Sequence, residues 1–450
     1  MRLFARDALL PTGWASDVVV DVGSGGTIRA VDAAFEPPED AEHVQGALVP
    51  GVPNVHSHAF QRGLAGLTER GGPRTDNFWT WRTEMYRFLD RIGPDDLEAI
   101  ACQLYLEMLK AGYTAVGEFH YLHRDPAGRS YANPAEMALR IQAAAEATGI
   151  ALTLLPVYYA HSDFGGVPPL PAQRRFVHDT ESFLALLGAL ALDGLRLGVA
   201  PHSLRAVAPR ELAEIIAWVR HDGEAPVHIH AAEQMKEVED CLAWSGTRPV
   251  EWLIEHAGID ARWCVVHATH MTEEETRRLA GTGAVAGLCP TTEADLGDGV
   301  FPAPHYLAAG GRIGIGGDSH VGVDPFLELR LVEASQRLTL HRRNVLARDG
   351  ESTGLALYQA ALAGGAQALA QPVGAIEVGR RADLLVLDGD DPALAEQPAA
   401  NLLDAAIFGP ARHVVRDVMV AGRWVIGEGH HADEEAILIR YRQALKRLLA

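Results

Sequence analysis

Eight short runs of β-branched and other apolar residues recur between residues 48 and 317, and helical segments separate them. The runs cover residues 48–55, 114–119, 151–159, 195–200, 226–230, 263–269, 284–289 and 312–317. Several intervening segments begin with proline and end at glycine, as the two ends of helices prefer. Regular alternation of strand and helix favours parallel strands joined by crossover helices. It predicts an α/β fold, a TIM-like (β/α)8 barrel, with a doubly wound open sheet as the alternative.

The two ends of the chain differ from the middle. Residues 1–47 and 372–430 contain short β-branched runs separated by glycine turns, and the last segment has the apolar spacing of a helix. At 450 residues the chain exceeds the size at which a single core stops growing. We therefore expect a barrel at residues 48–371. A small composite β-sandwich domain, built from residues 1–47 and 372–450 and carrying a C-terminal helix, would flank it.

Composition and charge exclude several classes of partner. The net charge of −20 disfavours binding to nucleic acid or to an anionic membrane surface. The longest apolar run, residues 183–200, is interrupted by Asp193 and Arg196 and falls short of a bilayer span. No leader peptide is recognisable, so we expect a cytoplasmic location. The four cysteines form no C-x-x-C pair, which predicts buried thiols rather than disulfides or thiolate metal ligands.

His56 and His58, at the end of the first run, are the first candidates for a metal site. Residues i and i+2 of a strand point to the same face, so both rings can aim at one ion. The chain has 20 histidines, however, and random placement alone gives about one His-x-His pair. Taken alone, the pair is equally compatible with two metal ligands and with two polar loop histidines.

Polar side chains also follow three other predicted strands. His230 and Glu233 follow the fifth run, His267 ends the sixth, and Asp318 follows the eighth. Catalytic residues of such barrels come from the carboxyl ends of several strands. The set suited to Zn²⁺ or a similar divalent ion, with one position left for water, consists of His56, His58, His230 and Asp318. His228 is predicted as a core residue and His270 as a loop residue, and His320 is compatible with either reading.

This pattern resembles the amidohydrolase superfamily, whose members are metal-dependent hydrolases and deaminases on a (β/α)8 barrel with a flanking β-sandwich. Binuclear members usually add a carboxylated lysine or a glutamate at the fourth strand, and no lysine follows the fourth strand here. The resemblance therefore implies one divalent ion per subunit, Zn²⁺ with Fe²⁺ or Mn²⁺ also accepted. It also implies catalytic roles for Glu233, which matches the proton-shuttling glutamate of the aminohydrolase branch, and for His267 and Asp318.

A narrower resemblance is carried by several longer segments. They are PNVHSHAFQRGLAG, FWTWRTEMY, GEFHY, APHSLRAV, HIHAAEQ, CPTTEADLGDG and GGDSH. Together they are similar to the branch of that superfamily that hydrolyses N-formimino-L-glutamate to N-formyl-L-glutamate and ammonia in histidine degradation. This resemblance implies a substrate pocket lined by Gln61, Arg82, Tyr121, His202 and Arg205. Two arginines suit a dicarboxylate, because each guanidinium group can bind a carboxylate in a bidentate manner.

Two other functions remain open from the sequence. A related aminohydrolase could deaminate a purine, a pterin or a guanidino compound, although such substrates make less use of paired arginines. A non-catalytic scaffold on the same barrel has no reason to retain four ligands together with Glu233 and His267. The expected partner is a small dicarboxylate, and we expect a homodimer, the commonest oligomer among soluble proteins.

Overall fold

The computed structural model describes residues 1–33, 36–69, 78–192, 195–410 and 414–450. Eight parallel strands form one nearly closed sheet. In chain order they are Val52–Ser57, Tyr113–His120, Ala151–Tyr158, Ala200–Pro201, Val227–Ala231, Trp263–His267, Val285–Leu288 and Arg312–Ile315. The eighth strand pairs with the first, and bridges from Val199 to Val227 and from Ser203 to His230 join the fourth to the fifth. The predicted barrel is therefore confirmed, and the open sheet is excluded.

Helices surround the barrel and connect its strands. The α-helices are Phe78–Leu89, Pro94–Ala111, Glu136–Thr148, Thr180–Leu192, Pro209–Asp222, Met235–Ser245, Pro249–His256, Glu273–Thr282, Pro290–Leu296, Ala303–Ala308, Pro325–Leu340, Thr353–Ala368, Leu402–Phe408 and Glu434–Leu448. Short 3₁₀ helices cover Ala59–Leu64, Pro171–Gln173 and Ala399–Asn401. Pro94–Ala111 shows why such segments are helical. Proline occupies its first position, its apolar residues recur at helical spacing, and Gly112 ends it in the left-handed conformation.

A second sheet is built from both ends of the chain. Its strands, in spatial order, are Arg423–Ile426, Val415–Val420, Leu384–Asp388, Gly46–Pro50, Arg2–Leu10, Gly13–Val22 and Ile28–Ala33, with Glu42–His43 beside Arg2–Leu10. Most neighbours are antiparallel, and Gly46–Pro50 joins the two ends by pairing with Leu384–Asp388. Leu48, Leu384 and Met419 are buried in a core of its own. The expected composite domain from the chain ends is therefore present.

The chain passes from the outer sheet to the barrel at Gly51. The run predicted as one strand at 48–55 contains two strands, Gly46–Pro50 of the outer sheet and Val52–Ser57 of the barrel. A side chain at Gly51 would lie 2.2 Å from Thr114 Cγ2, so only glycine allows this approach. The domain limit predicted at 47/48 falls inside the first of these strands. No helix among the described residues is long and apolar enough to cross a membrane.

Candidate active site

Three histidines and one aspartate converge at the carboxyl ends of the barrel strands. His56 lies in the first strand, His58 follows it, His230 lies in the fifth strand, and Asp318 follows the eighth. His58 Nδ1 lies 2.9 Å from the carbonyl oxygen of Phe119, and His230 Nδ1 lies 3.0 Å from that of His202. A carbonyl can only accept, so each Nδ1 carries the proton and each Nε2 presents a lone pair to the centre.

The four donor atoms are close enough to share one ion. His56 Nε2 lies 3.1 Å from His58 Nε2 and 3.0 Å from His230 Nε2, and Asp318 Oδ1 lies 3.2 Å from His58 Nε2. All four residues are buried, and their donors lie within 4.8 Å of one another. Burial and the neighbouring His58 lower the pKa of His56 to about 3, so its ring is neutral. Neutral imidazole nitrogens that face each other with a carboxylate beside them are typical ligands of divalent cations, so the chemistry of these four residues fits such an ion.

The backbone that presents these groups is strained. Ala232, His267, Asp318 and His320 have φ angles of 52°, 66°, 48° and 60°, which place non-glycine residues in the left-handed region. Such conformations cost on the order of 1–3 kcal/mol each and concentrate at functional sites. Gly316 lets the segment after the eighth strand lie close to the first strand, since a Cβ there would lie 2.8 Å from the backbone nitrogen of His56. The strain falls directly after the fifth, sixth and eighth strands.

His267 lies among three buried carboxylates. Its Nδ1 lies 3.2 Å from Glu293 Oε1, and its Nε2 lies 3.8 Å from both Glu233 Oε1 and Asp318 Oδ2. Burial alone would lower the pKa of His267, but the carboxylates of Glu233, Glu293 and Asp318 outweigh it and raise the pKa. Burial raises the pKa of Glu233. A proton can therefore reside on either His267 or Glu233, and their separation allows exchange through one intervening molecule.

Glu118 braces the turn that carries His58, a role that the sequence did not reveal. Its carboxylate accepts hydrogen bonds from Ser57 Oγ at 2.5 Å, Ala59 N at 2.7 Å and Tyr105 Oη at 3.1 Å. Ser57 stands between two of the converging histidines, and its hydroxyl also lies 3.0 Å from His320 Nε2. Burial raises the pKa of Glu118 to about 7. The one visible signal was an acidic residue in an otherwise buried, mostly apolar strand.

A cavity opens above the converging residues and is lined by three of them, His58, His230 and Asp318. Its lining includes every residue that the sequence proposed for substrate or proton transfer: Gln61, Arg82, Tyr121, His202, Arg205, Glu233, His267 and Asp318. His58 and His230 also line it, whereas His56 is fully buried. The aromatic wall was not predicted and comprises Phe78, Trp81, Tyr86, Tyr159 and Phe176. The signal for part of it was the aromatic stretch FWTW, which begins the helix at Phe78.

Two arginines lie against the aromatic wall: the guanidinium carbon of Arg82 is 5.7 Å from the ring centroid of Tyr86, and that of Arg205 is 6.0 Å from the ring centroid of Phe78. The Arg82 guanidinium carbon lies 4.5 Å from the ring centroid of Trp79, and that of Arg205 lies 5.6 Å from it. Within the described ranges neither arginine forms an ion pair, and the buried Nε of Arg205 has no hydrogen-bond partner. Gln61 Nε2 donates to Tyr121 Oη at 2.8 Å. Two cations that form no ion pair with a described residue, in a cavity of an acidic protein, favour an anionic ligand.

Two further buried histidines, His228 and His320, lie outside the converging set. His228 Nε2 lies 2.8 Å from the carbonyl oxygen of Ala368, inside the barrel, and it is not among the converging ligands. It is a core residue, as the sequence predicted. The sequence did not distinguish a metal ligand from a loop residue at His320. Its Nε2 lies 3.0 Å from Ser57 Oγ, and it is not among the four converging residues.

Comparison with known proteins agrees with this fold. The amidohydrolase family model matches residues 47–425, and the chain belongs to that family. It is 54% identical to the formimidoylglutamate deiminase of Pseudomonas aeruginosa, over 99% of each chain, and 30% identical to the 8-oxoguanine deaminase of that organism, over 90% of this chain and 88% of the relative. A crystal structure of an amidohydrolase from Brucella melitensis superimposes with a TM-score of 0.94 at 48% identity, over all of both chains. The predicted superfamily membership is confirmed.

Proposed function

We propose that this chain hydrolyses N-formimino-L-glutamate to N-formyl-L-glutamate and ammonia, a step of histidine degradation. The observation that carries the proposal is the pair of arginines, Arg82 and Arg205, which form no ion pair with a described residue and lie in the same cavity as Glu233 and His267. The two carboxylates of one substrate match the two guanidinium groups, and the formimino end of that substrate then lies at Glu233 and His267. The high identity to a formimidoylglutamate deiminase supports the same substrate.

The proposed cofactor is one zinc ion per subunit, held by His56, His58, His230 and Asp318. Three nitrogen ligands and one oxygen ligand suit Zn²⁺, and Fe²⁺ or Mn²⁺ are also compatible with the set. When bound, such an ion acidifies water, so that a hydroxide nucleophile forms near neutral pH. The protein contributes the fixed orientation of the ligands, through the carbonyl contacts of His58 and His230.

Proton transfer is assigned to His267, Asp318 and Glu233. His267, oriented by Glu293, takes the proton of the attacking water, and Asp318 assists because its Oδ2 faces the same ring nitrogen. The water oxygen forms a bond to the formimino carbon, the carbon–nitrogen double bond becomes single, and Glu233 delivers a proton to the terminal nitrogen. The hydroxyl proton of this adduct then returns to Glu233 as the formyl carbonyl forms. The bond from carbon to the terminal nitrogen breaks, and the nitrogen takes the proton held by His267 and leaves as ammonia. Gln61, Tyr121 and His202 orient the substrate between the arginines and these groups.

The experiment is an assay of ammonia release from four compounds: N-formimino-L-glutamate, its guanidino analogue, guanine and adenosine. We expect the formimino compound to have the highest kcat/KM, because only the two glutamate derivatives carry both carboxylates. Clear preference for guanine or adenosine would reject the dicarboxylate proposal in favour of a heterocycle aminohydrolase. Metal analysis after gentle purification tests the cofactor, and a protein that binds no divalent ion would instead be a scaffold.

The same proposal includes a homodimer that works in the cytoplasm. Light scattering after size-exclusion chromatography tests the oligomer, and a mass equal to one chain would reject it. Fractionation of the source cells tests the location, and recovery outside the cytoplasmic fraction would reject it.

A further inference from the structure

A second group of metal-binding side chains lies beside the first and plays no part in the proposed reaction as a set. His267, Cys289 and Asp318 offer a nitrogen, a sulfur and an oxygen atom, all within 4.8 Å of one another. All three residues are buried, with exposed fractions of 1%, 0% and 5%. They come from the ends of the sixth, seventh and eighth strands, so the barrel itself sets their spacing. The sequence predicted Cys289 only as a buried thiol.

One carboxylate holds two members of this group in place. Glu293 Oε1 accepts a hydrogen bond from the backbone nitrogen of Cys289 at 2.9 Å and lies 3.2 Å from His267 Nδ1. Because Nδ1 is engaged there, the lone pair available to an ion is on His267 Nε2. The imidazole of His267 and the backbone of Cys289 are therefore held in place before any ion arrives.

Asp318 faces both groups at once. Its Oδ1 lies 3.2 Å from His58 Nε2, whereas its Oδ2 lies 3.8 Å from His267 Nε2. The two oxygen atoms of one carboxylate can therefore bind two ions, one on each side. Asp318 and His267 line the cavity, so an ion can reach this second position from the substrate side.

We infer that His267, Cys289 and Asp318 form a second cation site, which takes a thiophilic divalent ion such as Cd²⁺, or Zn²⁺ in excess. Sulfur, imidazole and carboxylate ligands suit these borderline or soft ions and not Mg²⁺ or Ca²⁺. As the ion binds, the thiol of Cys289 and the protonated ring of His267 each release a proton to solvent, with no change of oxidation state. The filled site is inhibitory, because it occupies the His267 nitrogen that the proposed reaction needs.

Direct binding tests the site without relying on the proposed function. Zinc-loaded enzyme is titrated with Cd²⁺, with bound metal and the thiolate-to-cadmium charge-transfer absorption as readouts. We expect wild type to take up a further ion and to develop the absorption. Cys289→Ser and Cys289→Ala should do neither. Cys264→Ser is the matched control, since Cys264 is equally buried but is not in the group, and it should behave as wild type.

Inhibition provides the second readout and rests on the proposed function. With N-formimino-L-glutamate, the Cd²⁺ concentration for half-inhibition should rise at least about tenfold in Cys289→Ser, because a ligand is lost. The inference is rejected if wild type takes up no further ion, or if the absorption and inhibition persist in both Cys289 variants. Absence of turnover by every protein would reject the proposed function, while the binding titration would still decide the second site. Melting curves of both Cys289 variants confirm that they fold.

Discussion

At the scale of the residue, Glu233 is the group whose loss should separate catalysis from metal binding. It lies at the cavity floor, 3.8 Å from His267 Nε2, and is not among the four converging ligands. Glu233→Gln keeps the size of the side chain but cannot carry the proton. We expect kcat to fall roughly 10²- to 10⁴-fold with unchanged metal content. His267→Asn should show the same split, and unchanged turnover in either variant would disprove the role assigned to that residue.

Arg205 should determine substrate affinity through the shape of its guanidinium group. Arg205→Lys preserves the charge but loses the bidentate geometry, so KM for N-formimino-L-glutamate should rise roughly ten- to hundredfold. The side chain of Arg210, only five residues away, is 91% exposed and forms an ion pair with Glu214, so Arg210→Lys is the control. Steady-state kinetics with both variants decide the matter. Equal KM values would show that Arg205 does not bind the carboxylate.

Residues that follow predicted strands could be anticipated from the sequence, because a polar group directly after an apolar run stands out. His230, His267 and Asp318 are of this kind. Cys289 also follows a strand, but a thiol there is the expected core residue, so nothing in the sequence distinguishes it. The partners of Cys289 are His267, 22 positions earlier in the chain, and Asp318, 29 positions later, and the spatial order of the strands determines that they meet. Only the closed barrel brings the three side chains together.

At the scale of the element, the first and second strands are joined beneath the proposed metal site by Glu118. When ionised, the Glu118 carboxylate only accepts, whereas Glu118→Gln places an NH₂ donor at one of its two oxygen positions and disrupts the contact to Ser57 or to Ala59. We expect the apparent Kd for zinc, measured by chelator competition, to rise roughly ten- to hundredfold. Glu328→Gln is the control, since Glu328 is also buried and also accepts from a hydroxyl and a backbone nitrogen, both of Thr291. An equal loss of affinity in both variants would contradict the specific role.

The segment that precedes helix Thr180–Leu192 should respond to acid through His178. Burial and the nearby Arg124 lower its pKa to about 4, and the ring of His123 lies 4.8 Å away. Unfolding restores a pKa near 6.5, so the unfolded chain binds more protons between about pH 6.5 and 4, and stability falls as pH falls through this window. His178→Phe should remove up to about 1.4 kcal/mol per pH unit of that slope. Urea unfolding at several pH values measures it, and an unchanged slope would refute the assignment.

The strands were predictable because the run length and the alternation with helices carry the signal. The division of the first run at Gly51 was not predictable, since the residues on both sides of it are equally apolar. The pattern of apolar residues indicates that a residue is buried, but it does not indicate which of the two hydrophobic cores contains that residue. Pairing of Gly46–Pro50 with Leu384–Asp388, more than three hundred residues away in the chain, makes that choice.

At the scale of the whole molecule, the C-terminal helix connects the end of the chain to the barrel. Helix Glu434–Leu448 packs on Pro94–Ala111, with an ion pair of 2.5 Å between Lys110 and Glu434. The barrel helix in turn contacts the turn after the first strand, where Arg62 pairs with Glu107 at 2.7 Å. The last helix is thus connected to the residues around His58 through one intervening element, helix Pro94–Ala111. Its burial, rather than its exposed ion pairs, should stabilise this connection.

Two isoleucines of that helix allow a matched test. Ile437 is 1% exposed and belongs to the main core, whereas Ile439 is 48% exposed on the opposite side. Ile437→Ala should lower the free energy of unfolding by about 2–5 kcal/mol, because it removes buried methylene groups and leaves a cavity. Ile439→Ala should change it by about 0.5 kcal/mol or less. Urea unfolding of both variants gives the comparison. If the two variants lose the same stability, the helix does not form part of the core that holds the barrel together.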